Sequence, residues 1–455
     1  MSPPAASTKP HRTPPGRLGW LVRRVDGSYI DRSACDAAFV RMHRQDAIGD
    51  RIHLIFACIG CVGLLGPQTV LQIAMAPLVV FFVVRILNTF PIWIHGFGQP
   101  AVLVTLALAG WMGVTLLWSG NIPLGLEEIS KLRWMLLVGF LYPIIEKRTV
   151  LIWALLVGFG LAMLAQVVDA FDGFGYEPLA EYFWHDPKRI SGWYQPVVGG
   201  SLFVAGLGLV LPSALFDRGR LRVFSIGASS LMAVSIIATG SRGAWIAMVL
   251  LAIVIVSFGV LTKRVRVRTL LSFGCLSAIV LVAVFAVGGS TIRDRATQAQ
   301  SEIADAFNGQ YNSDTGARIR MAQLAARATL EHPIGGVGAG GYKQWARPLA
   351  PEEVLIHDHA HNTPLQLSAT TGLVGLGIAG LLVLVLLRNG KNAANRFGAS
   401  GFAIGPVFGI VGLAMVSMTD VVLINAQTAA LLGMLAALSP AYVPELPNTK
   451  ERQTV

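Results

Sequence analysis

Long apolar runs recur along most of the sequence, and a bilayer core needs about 20 mainly apolar residues per helix. Hydrophobic residues make up 54% of the 455 positions and charged residues 13%, whereas soluble domains carry about 25% charge. This composition excludes a soluble enzyme, a disordered chain and a nucleic-acid-binding domain, so nucleic acid is not an expected partner. The sequence predicts an all-α polytopic membrane protein with about 12 transmembrane helices, at 50–66, 69–87, 100–118, 130–146, 149–171, 196–216, 222–239, 243–261, 269–288, 363–387, 398–418 and 421–440.

Basic residues are distributed in a way that orients these spans. The net charge is +11, and Lys and Arg cluster in the arm before the first span and in the loops after the fourth, sixth, eighth and tenth spans. The loop 119–128, by contrast, contains Glu127 and Glu128 and no basic residue. Because short cytoplasmic loops are enriched in Lys and Arg, we expect both termini in the cytoplasm and the basic arm beside anionic membrane lipids.

This topology divides the chain into five parts. They are a basic cytoplasmic arm (1–49), spans one to nine (50–288), a large periplasmic loop (289–362), spans ten to twelve (363–440) and a cytoplasmic tail (441–455). A loop of that length within a compact membrane protein is usually functional, so the chemistry is expected there and at its edges.

Two helices are predicted within the large loop, at about 291–307 and 315–331. The second has Ser313 or Asp314 as a plausible N-cap and Pro333 as its stop. The first is amphipathic, and its apolar residues on or near one side are Ile292, Ala296, Ile303 and Phe307.

Three arginines of the second loop helix fall on different faces. A helix turns about 100° per residue, so Arg318 points about 160° away from Arg320, whereas Arg320 and Arg327 share a face. We expect the face with Arg320 and Arg327 to be solvated and Arg318 to point elsewhere.

The segment HPIGGVGAGGY, which follows this helix, places Gly336, Gly338 and Gly341 in GxGxxG spacing. In dinucleotide-binding proteins this motif joins a strand to a helix within a βαβ unit, and the surrounding sequence predicts neither strand nor unit. The glycines are therefore interpreted as a compact turn through which the loop returns to the membrane.

Three histidines, His357, His359 and His361, precede the tenth span in the segment HDHAHNTP. Their spacing could gather metal ligands in an extended segment, but no cysteine lies nearby to complete a structural zinc site. A single general base fits better, because imidazole accepts a proton near neutral pH. His361, beside Asn362 and nearest the apolar span, is the predicted base, with an interfacial structural histidine as the alternative.

Two further arginines lie at the ends of apolar spans on the same predicted face. Arg242 lies in TGSRGAW between spans seven and eight, and Arg189 lies in RISGWYQP before span six. Arginine at a membrane boundary is costly and often functional, and a guanidinium can bind a lipid phosphate through two hydrogen bonds. Snorkelling toward the headgroups is the alternative. Together with Arg318 and His361, these residues suggest an anion site with a base beside it.

These segments resemble the O-antigen ligase/polymerase superfamily of bacterial inner-membrane proteins, and most closely the O-antigen ligases. The resemblance rests on the multi-span plan, the long late loop and the segments RISGWYQP, TGSRGAW, GARIRM, HPIGGVGAGGY and HNTPLQ. It implies a type C glycosyltransferase-like architecture and transfer of a polysaccharide from undecaprenyl pyrophosphate to a sugar of lipid A–core on the periplasmic face. His357 and His359 lie outside the family pattern.

The resemblance also implies roles for individual residues. Arg242 matches the arginine of the SRG motif, and Arg318 matches the loop arginine before the second loop helix. Arg189 matches the arginine before the sixth span, and His361 matches the histidine of the HN motif. Asp420, in the last outward turn, matches a family acidic position only loosely.

The implied reaction suits these residue types. A sugar pyrophosphate carries a good leaving group, so the enzyme must hold its negative charge and deprotonate an acceptor hydroxyl. We expect His361 to be the base, with Asn362 and Asp420 as supporting residues, and inversion at the anomeric centre. No metal and no other cofactor is expected, because arginines take the place of a divalent cation. The pyrophosphate-binding residues are then Arg189, Arg242 and Arg318.

Other functions remain open at this point. An O-antigen polymerase and a protein O-oligosaccharyltransferase of the same superfamily share the donor chemistry and differ in the acceptor. A membrane transporter is less favoured, because it predicts inverted repeats and polar sites near the membrane midplane, whereas the polar residues here cluster at one face.

Overall fold

The computed structural model describes residues 32–172, 189–265, 297–298, 300–397 and 400–444. The described chain is almost entirely helical. Its helices are α1 (Arg32–Gln45), α2 (Ala47–Gly63), α3 (Gln68–Phe97), α4 (Pro100–Thr115), α5 (Ile122–Lys131), α6 (Leu137–Leu141), α7 (Arg148–Asp172), α8 (Pro196–Phe216), α9 (Gly219–Ala238), α10 (Arg242–Leu261), α11 (Asp314–Glu331), α12 (Tyr342–Ala346), α13 (Thr363–Phe397), α14 (Gly401–Val416) and α15 (Ala426–Ala437).

Seven helical segments among the described residues are long and apolar enough to cross a membrane. Helix α2, with 17 residues, and the apolar helices α14 and α15, with 16 and 12, are shorter. The predicted ninth span, 269–288, lies outside the described residues. The chain is therefore a multi-pass membrane protein, and the predicted count of twelve full-length spans is not confirmed. The seven segments are Gln68–Phe97, Pro100–Trp118, Ile122–Phe171, Pro196–Phe216, Gly219–Ala238, Arg242–Leu261 and Thr363–Asn392.

The predicted fourth span, 130–146, is not a continuous α-helix. Tight 3₁₀ turns at Leu132–Leu136 and Tyr142–Lys147 flank the five-residue helix α6. Pro143 lacks the N–H that an α-helical hydrogen bond requires, and 3₁₀ turns commonly occupy such interruptions. The helical path nevertheless continues into α7, so the predicted break near residue 148 is absent and one segment of 50 residues results.

Helix α8 occupies the centre of the helical bundle. Its residues are buried almost without exception, and it packs against α9, α10 and α14. A helix that is apolar on all sides belongs in an interior, and the predicted span 196–216 coincides with it. The outer helices α9 and α10 instead expose apolar side chains, such as Val223, Leu231, Ile246 and Ile253.

Helix α13 is broken near its start at Gly372, whose φ of 69° and ψ of −174° are not helical. The turn formed by residues 332–341 fills the break. The N–H groups of Val337 and Gly338 donate to carbonyls before the break at 2.8 and 2.9 Å, and the Leu373 N–H donates to the turn at 2.7 Å. A helix broken at membrane depth needs such partners within the protein. The predicted compact turn is confirmed, and three of its glycines have positive φ, Gly336, Gly338 and Gly340.

Candidate active site

The turn 417–420, between α14 and α15, is the point where several distant segments meet. Thr363 donates its N–H and its hydroxyl to the Asp420 carbonyl, at 3.1 and 2.8 Å. Asn362 donates from Nδ2 to another carbonyl of this turn at 2.7 Å. These bonds fix the start of α13 against the turn, and therefore also fix His361, which immediately precedes them.

His361 occupies the left-handed backbone region, with φ of 49°, which residues other than glycine adopt infrequently and at an energetic cost. Its Nδ1 lies 3.8 Å from Oδ1 of Asp420, within ion-pair range but too far for a hydrogen bond. The ring centroids of His357 and His359 lie 5.2 and 4.3 Å from that of His361. The predicted base and the predicted supporting acid are thus brought side by side.

The charges of this cluster are set by burial and by its own members. Burial favours the protonated form of Asp420, but His361, the Val421 N–H and His359 outweigh it, so the pKa of Asp420 lies below its ordinary value. Burial and the neighbouring His361 lower the pKa of His359 to about 4, and the same two causes lower the pKa of His357. At neutral pH the carboxyl group is therefore ionised, and these two imidazoles are uncharged.

Helix α11 presents Arg318 to the same turn. The helix has Ser313 as its N-cap and ends at Glu331, as the sequence predicts. Nη1 of Arg318 donates to the carbonyl of Thr419 at 3.4 Å, so the guanidinium lies next to the peptide that leads into Asp420.

Two other arginines of α11 have local partners. Arg320 donates to the Leu349 carbonyl at 2.8 Å, and its guanidinium lies 5.6 Å from the centre of the Tyr311 ring. Arg327 has a side chain that is 56% exposed and pairs with Glu331 at 2.7 Å. The expectation of a solvated face is confirmed for Arg327 and is wrong for Arg320, because the loop folds back over its guanidinium.

The glycine of the SRG motif contacts the 417–420 turn, and its arginine contacts the large loop. Gly243 packs against Thr419, whose hydroxyl occupies the space that a Cβ would need. Nη1 of Arg242 donates to Glu302 at 3.2 Å and to Thr315 at 3.0 Å, and Thr315 also donates to Glu302. These contacts outweigh burial and lower the pKa of Glu302 below its ordinary value. Arg242 thus bridges the two predicted loop helices.

The first loop helix turns its predicted apolar side outward. Residues 300–307 are helical, and Glu302, which binds Arg242, is buried on their inner side. Ile303 and Phe307, predicted to form the apolar side, are 41% and 87% exposed. That apolar side therefore faces away from the described chain, and the other two residues predicted for it lie outside the described residues.

Arg189 is placed beside the turn between α9 and α10. Its Nη2 lies 3.4 Å from the Gly240 carbonyl in the TGSRG segment. Two and three residues further along, Ser191 and Gly192 donate their N–H groups to Oδ2 of Asp169 at 2.8 Å each. These bonds fix the RISGW segment at the end of α7.

The predicted residues are connected through their contacts at one end of the bundle. The turn 417–420 carries Asp420 and contacts the segments that carry Arg242, Arg318, His361 and Asn362, and the TGSRG segment contacts Arg189. Guanidinium groups can hold an anion, and an imidazole beside a carboxylate can accept a proton and be stabilised afterwards.

The sequence does not predict the capping role of Asn362, nor the participation of Thr363 and Glu302. Asn362 accepts the Leu365 N–H at 2.9 Å and so acts as the N-cap of α13, a role that an Asn before a helix could have suggested. Thr363, which bonds to the 417–420 turn, and Glu302, which binds Arg242, gave no local indication, because their partners lie about 60 residues away in the chain.

One group of potential metal ligands stands out among the described residues, away from the three histidines of HDHAHNTP. His43, Asp50 and Glu146 bring one ligand atom each within 4.8 Å of one another. His43 lies 3.0 Å from Glu146 and 3.5 Å from Asp50, while Arg85 and Lys147 also pair with these acids. Since cations of the protein already compensate the carboxylates, this group is best described as an ion network.

Comparison with known families adds to this geometry. A family model described as O-antigen ligase matches residues 227–380, a range that includes Arg242, Arg318 and His361. Arg189 and Asp420 lie outside the match. No curated protein matches the chain. This match, confined to residues 227–380, supports a relation to the O-antigen ligase superfamily.

Proposed function

We propose that this protein transfers O-antigen polysaccharide from undecaprenyl pyrophosphate to a sugar hydroxyl of lipid A–core. The reaction takes place at the periplasmic face of the bacterial inner membrane, with both termini in the cytoplasm and residues 289–362 in the periplasm. The observation that carries the proposal is the meeting of Arg318, the SRG motif and the pair of His361 and Asp420 at the single turn 417–420. The family match supports the same class of chemistry.

The transfer is a single displacement. The acceptor hydroxyl gives its proton to Nε2 of His361, because Nδ1 faces Asp420, while its oxygen forms a bond to the anomeric carbon of the donor. The bond from that carbon to the phosphate oxygen breaks, and undecaprenyl pyrophosphate leaves with the electron pair. Attack from the side opposite the leaving group inverts the anomeric configuration.

The surrounding charges stabilise both products of the proton transfer. Asp420, ionised at neutral pH, stabilises the imidazolium that forms on His361. Arg189, Arg242 and Arg318 neutralise the charge that develops on the pyrophosphate. In this proposal the guanidinium groups perform the function of a divalent cation, so transfer proceeds undiminished in thoroughly chelated buffer.

Lipopolysaccharide analysis of a deletion strain tests the choice of acceptor. The proposal predicts rough core together with accumulated lipid-linked polymer, and restoration of long-chain lipopolysaccharide by the wild-type chain. Core capped by one repeat unit would instead identify a polymerase, and unchanged lipopolysaccharide would overturn both functions.

A further inference from the structure

A buried carboxylate lies outside the cluster described above. Glu128, on α5, is only 5% exposed, and an ionisable group at such a position is costly unless it has hydrogen-bonding partners. Its Oε2 accepts the Gly340 N–H at 3.1 Å, and its Oε1 accepts from Nε2 of Gln366 at 3.4 Å. The carboxylate therefore joins three distant segments: α5, the glycine turn and the first turns of α13.

Gln366 extends this connection to the segment that carries the predicted base. Its Oε1 accepts the N–H of Ala360 at 3.0 Å, and Ala360 immediately precedes His361. Because a backbone N–H can only donate, the amide oxygen must face Ala360 and the amide nitrogen must face Glu128. The directions of the three hydrogen bonds that connect Ala360, Gln366, Glu128 and Gly340 are thereby determined.

The backbone of His361 is strained and needs to be held on both sides. Its φ of 49° is unfavourable for a side chain with a Cβ. On the C-terminal side, Asn362 and Thr363 are bonded to the 417–420 turn. On the N-terminal side, Ala360 is held through Gln366.

We propose that Glu128 and Gln366 are a positioning pair, which holds the Ala360–His361 peptide in the geometry that aims the imidazole at the acceptor hydroxyl. This inference rests on the proposed function of His361 as the base. Glu128 touches no reacting atom and acts only through Gln366 and the peptide that Gln366 binds.

Because the directions of these hydrogen bonds are fixed, exchanging the side chains of Glu128 and Gln366 tests the proposed pair. In E128Q one of the two donors, Gly340 or Gln366, meets an NH₂ group in place of an oxygen. In Q366E two carboxylates face each other. In the double variant E128Q/Q366E, the glutamine at 128 accepts from Gly340 and donates to the glutamate at 366, whose other oxygen accepts from Ala360. Every partner is satisfied again.

The experiment measures transfer by the purified full-length protein, with kcat and KM determined for a lipid-linked glycan donor and a lipid A–core acceptor. We expect each single variant to lower kcat by about 10- to 100-fold, since small displacements of a catalytic group have effects of this size, with KM changed less than about threefold. The exchange variant should recover to within about fivefold of the wild type. E127Q is the matched control, because the neighbouring Glu127 is 62% exposed and pairs with Lys131; it should behave as the wild type.

Hydrogen exchange at the Ala360 amide gives a second measurement that does not depend on turnover. Protection in the wild type and the exchange variant, with loss of protection in both single variants, supports the positioning pair. Normal kcat in E128Q, or an exchange variant no more active than the single variants, overturns it. If the wild type extends the glycan without using lipid A–core, only the proposed acceptor is refuted. The same four variants are then compared on that extension reaction.

Discussion

Two ionic clusters lie at opposite ends of α2, and they use similar side chains differently. One begins at Asp46 and Asp50, at the start of this helix. At the other end, the carbonyl of Leu65 accepts hydrogen bonds from Trp193 and Tyr194, which follow Arg189 in the RISGWYQP segment. A helix of 17 residues is about 25 Å long, so roughly this distance separates the acids at its start from the segment that carries Arg189.

The cluster at the start of α2 is closed upon itself. Arg85, with a side chain only 3% exposed, lies 2.7 Å from Asp46 and 3.7 Å from Asp50, and its Nη1 lies 2.9 Å from Nδ1 of His53. His43 lies between Asp50 and Glu146. Charges that are matched within the protein tie α1, α2 and α3 together.

The cluster around the 417–420 turn is more open. Arg242 donates from Nη1 to two side chains of the loop, and Arg318 donates from Nη1 to one backbone carbonyl. The side chain of Arg242 is 29% exposed. Arg85, buried among acids, therefore serves the fold, whereas we propose that the partly exposed Arg242 is available to a ligand.

Replacing His361 with Ala should have the largest effect, because it removes the base from the open cluster. We expect the transfer rate to fall about 10³-fold, within the range for general-base catalysis, while the protein remains in the membrane. The rate is measured with purified protein. H359Q is the control, and it should stay within a few-fold of the wild type because His359 is already neutral at pH 7. An H361A protein with more than a tenth of the wild-type rate would contradict the assignment.

Replacing Arg85 with Ala tests the closed cluster. Removal of the buried Arg85 leaves the half-buried carboxylates of Asp46 and Asp50 without their cation, which costs up to about 3–5 kcal/mol of stability, while turnover per folded molecule should be unchanged. Thermal unfolding in detergent measures the loss. K147Q is the control, since Lys147 is 47% exposed and surface pairs contribute about 1 kcal/mol or less. An R85A protein with wild-type stability and impaired turnover would reverse the roles of the two clusters.

R318K and R320K compare two arginines on the same helix. Lysine keeps the charge but loses the planar fork that binds phosphate. R318K should therefore lower kcat/KM for the donor about 10- to 100-fold, with little change in stability. R320K should lower stability by about 1 kcal/mol through loss of its bond to Leu349, with donor kinetics nearly unchanged. The two variants are compared by kinetics and unfolding, and similar kinetic losses in both would show that helix spacing does not separate their functions.

The smallest expected effect concerns pH and His359. Its pKa is lowered from 6.5 to about 4 in the folded protein by burial and by His361. Between these values the unfolded chain binds a proton that the folded chain does not, so stability is lost as the pH falls. H359Q should lose less stability than the wild type between pH 7.5 and pH 5, by a few degrees in Tm. Parallel pH dependence of the two proteins would rule out this contribution.

Local patterns in the sequence predict those parts of the fold that depend on local physics. The span 196–216 and the cap at Ser313 follow from apolar length and from capping chemistry, and both are confirmed. The 160° separation of Arg318 from Arg320 follows from helix geometry alone, and their different partners agree with it.

Features that depend on distant segments were not predictable. The break at Gly372 is stable because the glycine turn, over 30 residues earlier, fills it. The sequence places Glu128 in a loop, yet it is buried because Gly340 and Gln366 supply its donors. Helix spacing predicts a solvated face for Arg320, because no local pattern shows that Leu349 returns to cover it.

A reconstituted reaction tests the proposed transfer to lipid A–core directly. Purified protein is mixed with undecaprenyl pyrophosphate-linked glycan and lipid A–core in chelated buffer, and released undecaprenyl pyrophosphate and glycosylated lipid A–core are both quantified. We expect equal amounts of the two products, with inverted anomeric configuration at the new bond. Release without glycosylated lipid A–core, or a new bond of retained configuration, would contradict it.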